Sequence, residues 1–278
     1  MISYNQETKI FHLQTDHSSY CFGLLTPSVL LHLYWGDRLG QVPGIWQLVQ
    51  GRGRSMAPSD TGADGLSTDC LPMEFPTYGS GDLRHPALHV QYADGSRITK
   101  LVYTGHTIST GKPPLEGLPA VYTEAGDRVE TLTVFLRDAL TGLEIRLQYS
   151  VFETFDAICR SVQICNLGAA PVTLQTALSA SLDFQGETLE LLHLPGTWAR
   201  ERIAQRVPVM AGRQSVESLR GASSAHHNPF LALLEPDTTE RSGRVWAMNL
   251  VYSGSFEAAV ERDAYGHDRM SIGIQPFD

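Results

Sequence analysis

Alternation of apolar and polar residues dominates this chain. Leu143, Ile145, Leu147, Tyr149 and Val151 alternate with Glu144, Arg146, Gln148 and Ser150. That period of two predicts a strand with one face in the core. Leu132, Val134 and Leu136 carry the same pattern before it. Ile158, Val162 and Ile164 carry it after a short polar break. Val172, Leu174, Thr176 and Leu178 predict another strand, and Val245 to Tyr252 another. Turn residues separate these runs at Asp94-Gly95, Asn166-Leu167-Gly168 and Ser253-Gly254, and Glu240 to Gly243 precedes one. Helical spacing is almost absent. Only Trp198 to Gln205 (WARERIAQ) allows a short helix, bounded by Pro195-Gly196 and Pro208. The expectation is an all-β chain, a large two-sheet antiparallel β-sandwich with little helix.

One stretch breaks the pattern. Gln50 to Asp69 (QGRGRSMAPSDTGADGLSTD) is rich in Gly, Ser and Asp and poor in apolar residues. It predicts a long surface loop, the least ordered part of the chain.

Composition narrows the function classes. In 278 residues, 42% are hydrophobic and 18% charged, enough apolar material for a core and too little charge for a disordered chain. The balance of 21 basic against 30 acidic residues, a net of −9, disfavours nucleic acid and anionic membrane as partners. A neutral ligand is expected. Cys21, Cys70, Cys159 and Cys165 form no C-x-x-C pair and no zinc spacing with histidine. Four reduced thiols in a cytoplasmic protein are expected, because the start MISYNQETKIFHL lacks a basic, then apolar, then small-residue leader.

No constellation of residues names a reaction by spacing alone. Asp69 and Glu74 flank Pro72, and Glu187 and Glu190 follow Asp183, but nothing forces two carboxylates to face each other as glycoside hydrolysis requires. Adjacent His226 and His227 point to opposite faces of an extended chain, so no metal site is expected. Ser223-Ser224 beside His226 is weak ground for a triad. Trp35, Trp46 and Trp198 have two readings. A Trp on a loop offers a flat apolar face with one N–H donor, suited to the C–H face of a sugar; a Trp in the core only packs. Trp198, after Pro195-Gly196, has the loop setting.

Several blocks carry a resemblance. They include Leu33-Tyr34-Trp35-Gly36, and Asp69 to Arg84 (DCLPMEFPTYGSGDLR). Gly111-Lys112-Pro113 with Gly117-Leu118-Pro119-Ala120, and His193-Leu194-Pro195-Gly196 followed by Trp198 and Arg200-Glu201-Arg202, are others. Arg160-Ser161, Leu182-Asp183-Phe184, Arg220-Gly221-Ala222-Ser223-Ser224, Asn228-Pro229-Phe230, Leu250 to Phe256 and the closing Gly273 to Asp278, with the opening Tyr4-Asn5 and Phe11-His12-Leu13, complete the set, in family order. The chain resembles the N-terminal domain of glycoside hydrolase family 36 α-galactosidases. The resemblance implies a β supersandwich, galactose-mutarotase-like, spanning 1–278 as a single N-terminal domain. It also implies that the catalytic (β/α)₈ barrel and a C-terminal domain lie outside this chain, with the nucleophile in a Lys-Trp-Asp motif that is absent here. A retaining two-aspartate mechanism would run in that barrel. No catalytic residue, metal or cofactor is therefore expected in these 278 residues.

The resemblance further implies that Trp198 lies at the pocket for a galactose-containing oligosaccharide. It implies a homotetramer in which a neighbour's loop, carrying Arg54, reaches that pocket. The family's Asp before that Arg is replaced here by Gly53. Asp82 with Arg84, and Asp183 with Arg220, are expected to form charge-assisted structural pairs, and Gly79 and Gly81 to serve a shaped turn. The alternative is a stand-alone carbohydrate-binding or assembly module without catalysis. The abrupt end at Pro276-Phe277-Asp278 predicts a truncated chain instead.

Overall fold

The computed structural model describes residues 1–49, 66–185 and 188–276. The chain folds as two compact units, Met1–Gln175 and Thr176–Asp278. It is all-β, with antiparallel sheets and three short 3-10 turns, Ile45–Leu48, Thr68–Cys70 and Glu153–Phe155, among the described residues.

In the first unit, β1 (Ile2–Asn5), β2 (Ile10–Gln14), β3 (Ser18–Thr26) and β4 (Val29–Asp37) pair in sequence order. After β5 (Leu88–Tyr92), the strands β6 (Val102–Thr110), β7 (Val129–Arg137), β8 (Leu143–Phe152) and β9 (Ala157–Asn166) form a second meander. Each strand takes its chain neighbour as hydrogen-bond partner, across short connections except between β6 and β7, where residues 111–128 intervene. The alternation read in β8 holds from Leu143 to Tyr149: Leu143, Ile145, Leu147 and Tyr149 are buried and Glu144, Arg146 and Gln148 half-buried, but Ser150, expected on the polar face, is buried like Val151. Ile10, Cys21, Val29, Leu31, Leu33, Ile45, Leu71 and Met73 form one core cluster, with Trp46 packed on it. Trp46 Nε1 donates to Thr8 O at 2.9 Å, so this Trp is a core residue.

The glycine-punctuated signature block, Asp69 to Arg84, is tied down by the pair expected from it. Arg84 donates to both oxygens of Asp82, at 2.9 and 3.0 Å, and to Leu71 O at 2.6 Å, with both side chains buried. Gly79 and Gly81 adopt φ of 82° and 89°, the left-handed region that a Cβ penalises.

The boundary between units falls inside β10 (Val172–Phe184). The second unit adds β11 (Glu190–Pro195), β12 (Gln205–Pro208), β13 (Gly212–Ser218), β14 (His227–Leu234), β15 (Val245–Asn249), β16 (Phe256–Arg262) and β17 (Asp268–Ile274). They pair antiparallel in the orders β13-β16-β17-β10 and β12-β11-β14-β15. The hydrogen bonds thus close several separate antiparallel sheets rather than two continuous ones. Register shifts contribute: β3–β4, β6–β7, β10–β17 and β11–β14 each carry at least one, and a bulge bends a strand and interrupts the ladder.

Three expectations are corrected here. Asp183 is bonded by Arg269, its cross-strand partner on β17, while Arg220 is exposed and reaches Ser224 Oγ at 3.5 Å. Strand register brings Arg269 to Asp183, and no sequence spacing reports that. Trp198 to Gln205 is not helical. Ala199 and Arg202 adopt φ of 62° and 55°, and each such residue ends a right-handed helix. The strand read from Val245 to Tyr252 ends at Asn249. The four cysteines form no disulfide, and burial pushes the Cys21 thiol up to about 12. No helix of the described residues is long and apolar enough to cross a membrane.

Candidate functional site

Trp198 stands at the tip of a closed turn. β11 ends at Pro195, whose fixed ring leaves no N–H for the ladder. Gly196 follows, and its missing side chain is required: a Cβ there would meet Arg200 O at 2.5 Å and Ala225 O at 2.8 Å, both backbone atoms. Thr197 and Arg200 then exchange two backbone hydrogen bonds of 3.0 Å each, pinching off Trp198 and Ala199. The return strand is anchored by Ile203 N donating to Pro195 O at 2.9 Å.

The turn is held from the side by the segment leading into β14. Gly196 N donates to His226 O at 3.0 Å, and Arg202 Nε to Asn228 Oδ1 at 3.2 Å. Asn228 Nδ2 in turn reaches Leu194 O at 3.4 Å. The 221–226 segment is itself pinned by Ser223 N to Ser253 O at 2.8 Å and Gly221 N to Ser255 Oγ at 2.8 Å. Ser224 Oγ accepts from His226 N, a structural use of that serine. With its backbone fixed on both sides, the Trp198 side chain is 88% exposed. An indole held out in water on such a turn offers a flat apolar face with one N–H donor.

Two histidines sit at the foot of the turn. His227 is the cross-strand partner of Pro195, and its ring lies near-parallel to that of His193, with centroids 6.5 Å apart and planes 23° from parallel. Nδ1 of each is buried without a hydrogen-bond partner. Burial lowers both pKa values, and each ring's neighbours lower them further: His227 acts on His193, while His226 and Arg220 act on His227. Both shifts favour the uncharged ring.

Glu74 occupies a different setting in the first unit. Its carboxylate accepts from Tyr20 Oη at 2.7 Å and from Tyr149 Oη at 2.7 Å. It lies 3.1 Å from the Arg160 guanidinium and 3.5 Å from His32 Nδ1. Burial alone would raise this carboxyl; the Arg160 charge, with the His32 and Tyr20 contacts, outweighs it and holds Glu74 below the ordinary carboxylate range. Glu74 is sealed from solvent, so no substrate reaches it. It is an internal anchor for β3, β8 and β9, which contribute Tyr20, Tyr149 and Arg160. Asp69 is buried as well.

Among the residues expected to bind substrate, Trp198 is placed as described. Arg54 lies outside the described residues, as do Gly53, most of the Gln50–Asp69 stretch and Glu187. Among the described residues no group of three or more His, Cys, Asp or Glu side chains could hold a metal ion. Sequence reasoning missed the His193–His227 contact. His193 was visible only as part of a block, and His227 only as half of an adjacent pair.

Comparison with known proteins identifies the family. Residues 28–278 match the model of the glycosyl hydrolase family 36 N-terminal domain. The chain is 43% identical over 278 residues to alpha-galactosidase AgaA of Geobacillus stearothermophilus, covering 100% of this chain and 38% of that protein. It superposes with a TM-score of 0.94 and 42% identity on the crystal structure of alpha-galactosidase AgaB from Geobacillus stearothermophilus, again over 100% of this chain and 38% of the other. A variant of AgaA solved in complex with raffinose matches with a TM-score of 0.92 and 42% identity, over 97% of this chain and 38% of that one. The chain thus spans well under half the length of these relatives. It belongs to the glycosyl hydrolase family 36 N-terminal domain family.

Proposed function

We propose that this chain is the N-terminal domain, 1–278, of an α-galactosidase that removes terminal α-linked galactose from melibiose- or raffinose-type oligosaccharides. The single observation that carries a role for this part of the protein is Trp198, 88% exposed on a turn fixed by hydrogen bonds at both ends. A relative was solved with raffinose, and the indole face suits the C–H face of such a sugar. In this reading the retaining chemistry, with its two aspartates, runs in a barrel outside this chain, and the domain shapes the pocket. The finer architecture, one two-sheet supersandwich, belongs to the same proposal. So do a cytoplasmic setting, a tetramer and the approach of a neighbour's Arg54 to the sugar.

The experiment has two arms. The purified 278-residue chain is assayed with a chromogenic α-galactoside and titrated with raffinose. No turnover is expected, with weak raffinose binding, because one platform buries too little of the ligand to be tight. In the longer gene product, Trp198→Ala is expected to raise KM for raffinose by roughly tenfold, the loss of about 1.4 kcal/mol of contact. Turnover by the 278-residue chain itself would overturn the placement of the catalytic pair. An unchanged KM for Trp198→Ala would remove Trp198 from the pocket.

A further inference from the structure

We propose that His193 and His227 are positioning residues for Trp198: a near-parallel imidazole pair that clamps the end of the β11–β14 ladder from which the Trp198 turn springs. The consequence for sugar binding rests on the reading of Trp198 given above; the clamp itself does not.

The register places the pair. Pro195 opposes His227, and His193 opposes Leu231, with a register shift between the two positions. The ladder is therefore irregular where the turn begins, and its last backbone tie is Gly196 N to His226 O at 3.0 Å. The His193 and His227 rings bridge that irregular end, 6.5 Å apart and 23° from parallel.

The chemistry makes the clamp depend on charge. Neither ring makes a hydrogen bond to the protein through a sealed Nδ1. A neutral ring tolerates this by keeping its proton on Nε2 and leaving only a lone pair in the dry edge. A protonated ring cannot: it must bury an N–H with no acceptor, which costs about 1–3 kcal/mol. The surroundings offer little relief. On His227, His226 and Arg220 oppose a positive charge and only Glu217 of β13 favours one. On His193, the acting charge is His227. Across from His193, β12 presents Gln205 and β14 presents Leu231, and β15 (VWAMN) has no ionisable side chain. β13 and β16, which also contact β14, carry Arg213, Glu217, Glu257, Glu261 and Arg262, with Arg213 paired to Glu257 and Arg262 to Asp268. Protonating either ring drives it toward water and away from its mate. The Pro195–His227 pairing then loosens, and the turn carrying Trp198 moves with it.

The test follows the Trp198 indole N–H signal by NMR in the 278-residue chain, assigned with Trp198→Phe, from about pH 8 to about pH 5, the histidine range. The signal is expected to shift with a midpoint below the ordinary histidine value of 6.5, tracking the ring protons of His193 and His227. The shift is expected to vanish in His193→Gln/His227→Gln and to persist in His226→Gln. The signals of Trp35, Trp46 and Trp246 report whether each variant is folded. A Trp198 signal that stays flat while both rings titrate would overturn the proposal. So would a shift that survives in the folded double variant, or wild-type rings that titrate above 6.5, a result that needs no variant. A Trp198 signal that titrates in this way but ignores raffinose would sink the sugar reading and leave the clamp standing.

Discussion

Arg269 grips Asp183 through two hydrogen bonds of 2.7 Å, Nε to Oδ1 and a terminal nitrogen to Oδ2, across the β10–β17 ladder. Both side chains are sealed from water, at 1% and 0% exposure. A bidentate pair in this setting compensates two desolvated charges at once. Removing one partner leaves the other charged and dry. Arg269→Met is therefore expected to cost about 3–5 kcal/mol of stability. Asp183→Leu/Arg269→Met together are expected to cost much less than the sum of the singles. Urea denaturation of the three variants measures this, and additive losses would contradict it.

Glu74 gives the pH prediction. Its carboxyl is held below its unfolded value, chiefly because the Arg160 charge overcomes the burial that would raise it. The unfolded chain then takes up the proton first as pH falls. The contribution of Glu74 is complete above its unfolded pKa of about 4.3 and is lost as pH drops from there through the folded value. Glu74→Gln is expected to be less stable at neutral pH by roughly 3–5 kcal/mol, since Arg160 is left without its carboxylate. It is also expected to show a shallower decline in acid than the wild type. Parallel acid limbs in the two proteins would refute this.

The Trp198 turn separates local geometry from contact. Trp198→Ala removes an exposed ring and is expected to change stability by no more than about 0.5 kcal/mol. Gly196→Ala pushes a Cβ into Arg200 O and Ala225 O, neither of which can swing aside as a flexible side chain does. It is expected to cost about 1–3 kcal/mol, as overpacking against fixed neighbours does. Thermal unfolding of both variants checks the contrast; a reversed order would show that the turn is not closed as described.

Ala199→Gly tests the backbone of the same turn with the opposite sign. Ala199 has φ of 62°, where an L-residue pays a steric penalty that glycine avoids. The change is expected to stabilise the chain by up to about 1 kcal/mol, after allowing for the looser unfolded chain. Had WARERIAQ been helical, the same change would cost about 1 kcal/mol. The sign of the change in Tm decides between the two.

Much was legible in the sequence. The alternating runs reported β7, β8, β9 and β10 because strand periodicity is local: each residue's face is set by its parity in the chain. The Asp82–Arg84 pair was legible for the same reason, since its partners are two residues apart and share one turn. The family blocks pointed to a glycosyl hydrolase family 36 N-terminal domain and to Trp198 on a loop. Three things needed the folded chain. Arg269 meets Asp183 across 86 residues. Tyr20, Tyr149 and Arg160 converge on Glu74 from three strands. His193 lies beside His227 because β11 and β14 pair in one register and not another. Periodicity says which face a side chain takes; only the pairing of distant strands says whom it meets there. The failed helix has the same origin. WARERIAQ has helical propensity, but Gly196 and Asn228 fasten the segment to the β14 strand and its approach, and those tertiary bonds overrule a local preference worth a few tenths of a kcal/mol, roughly, per residue.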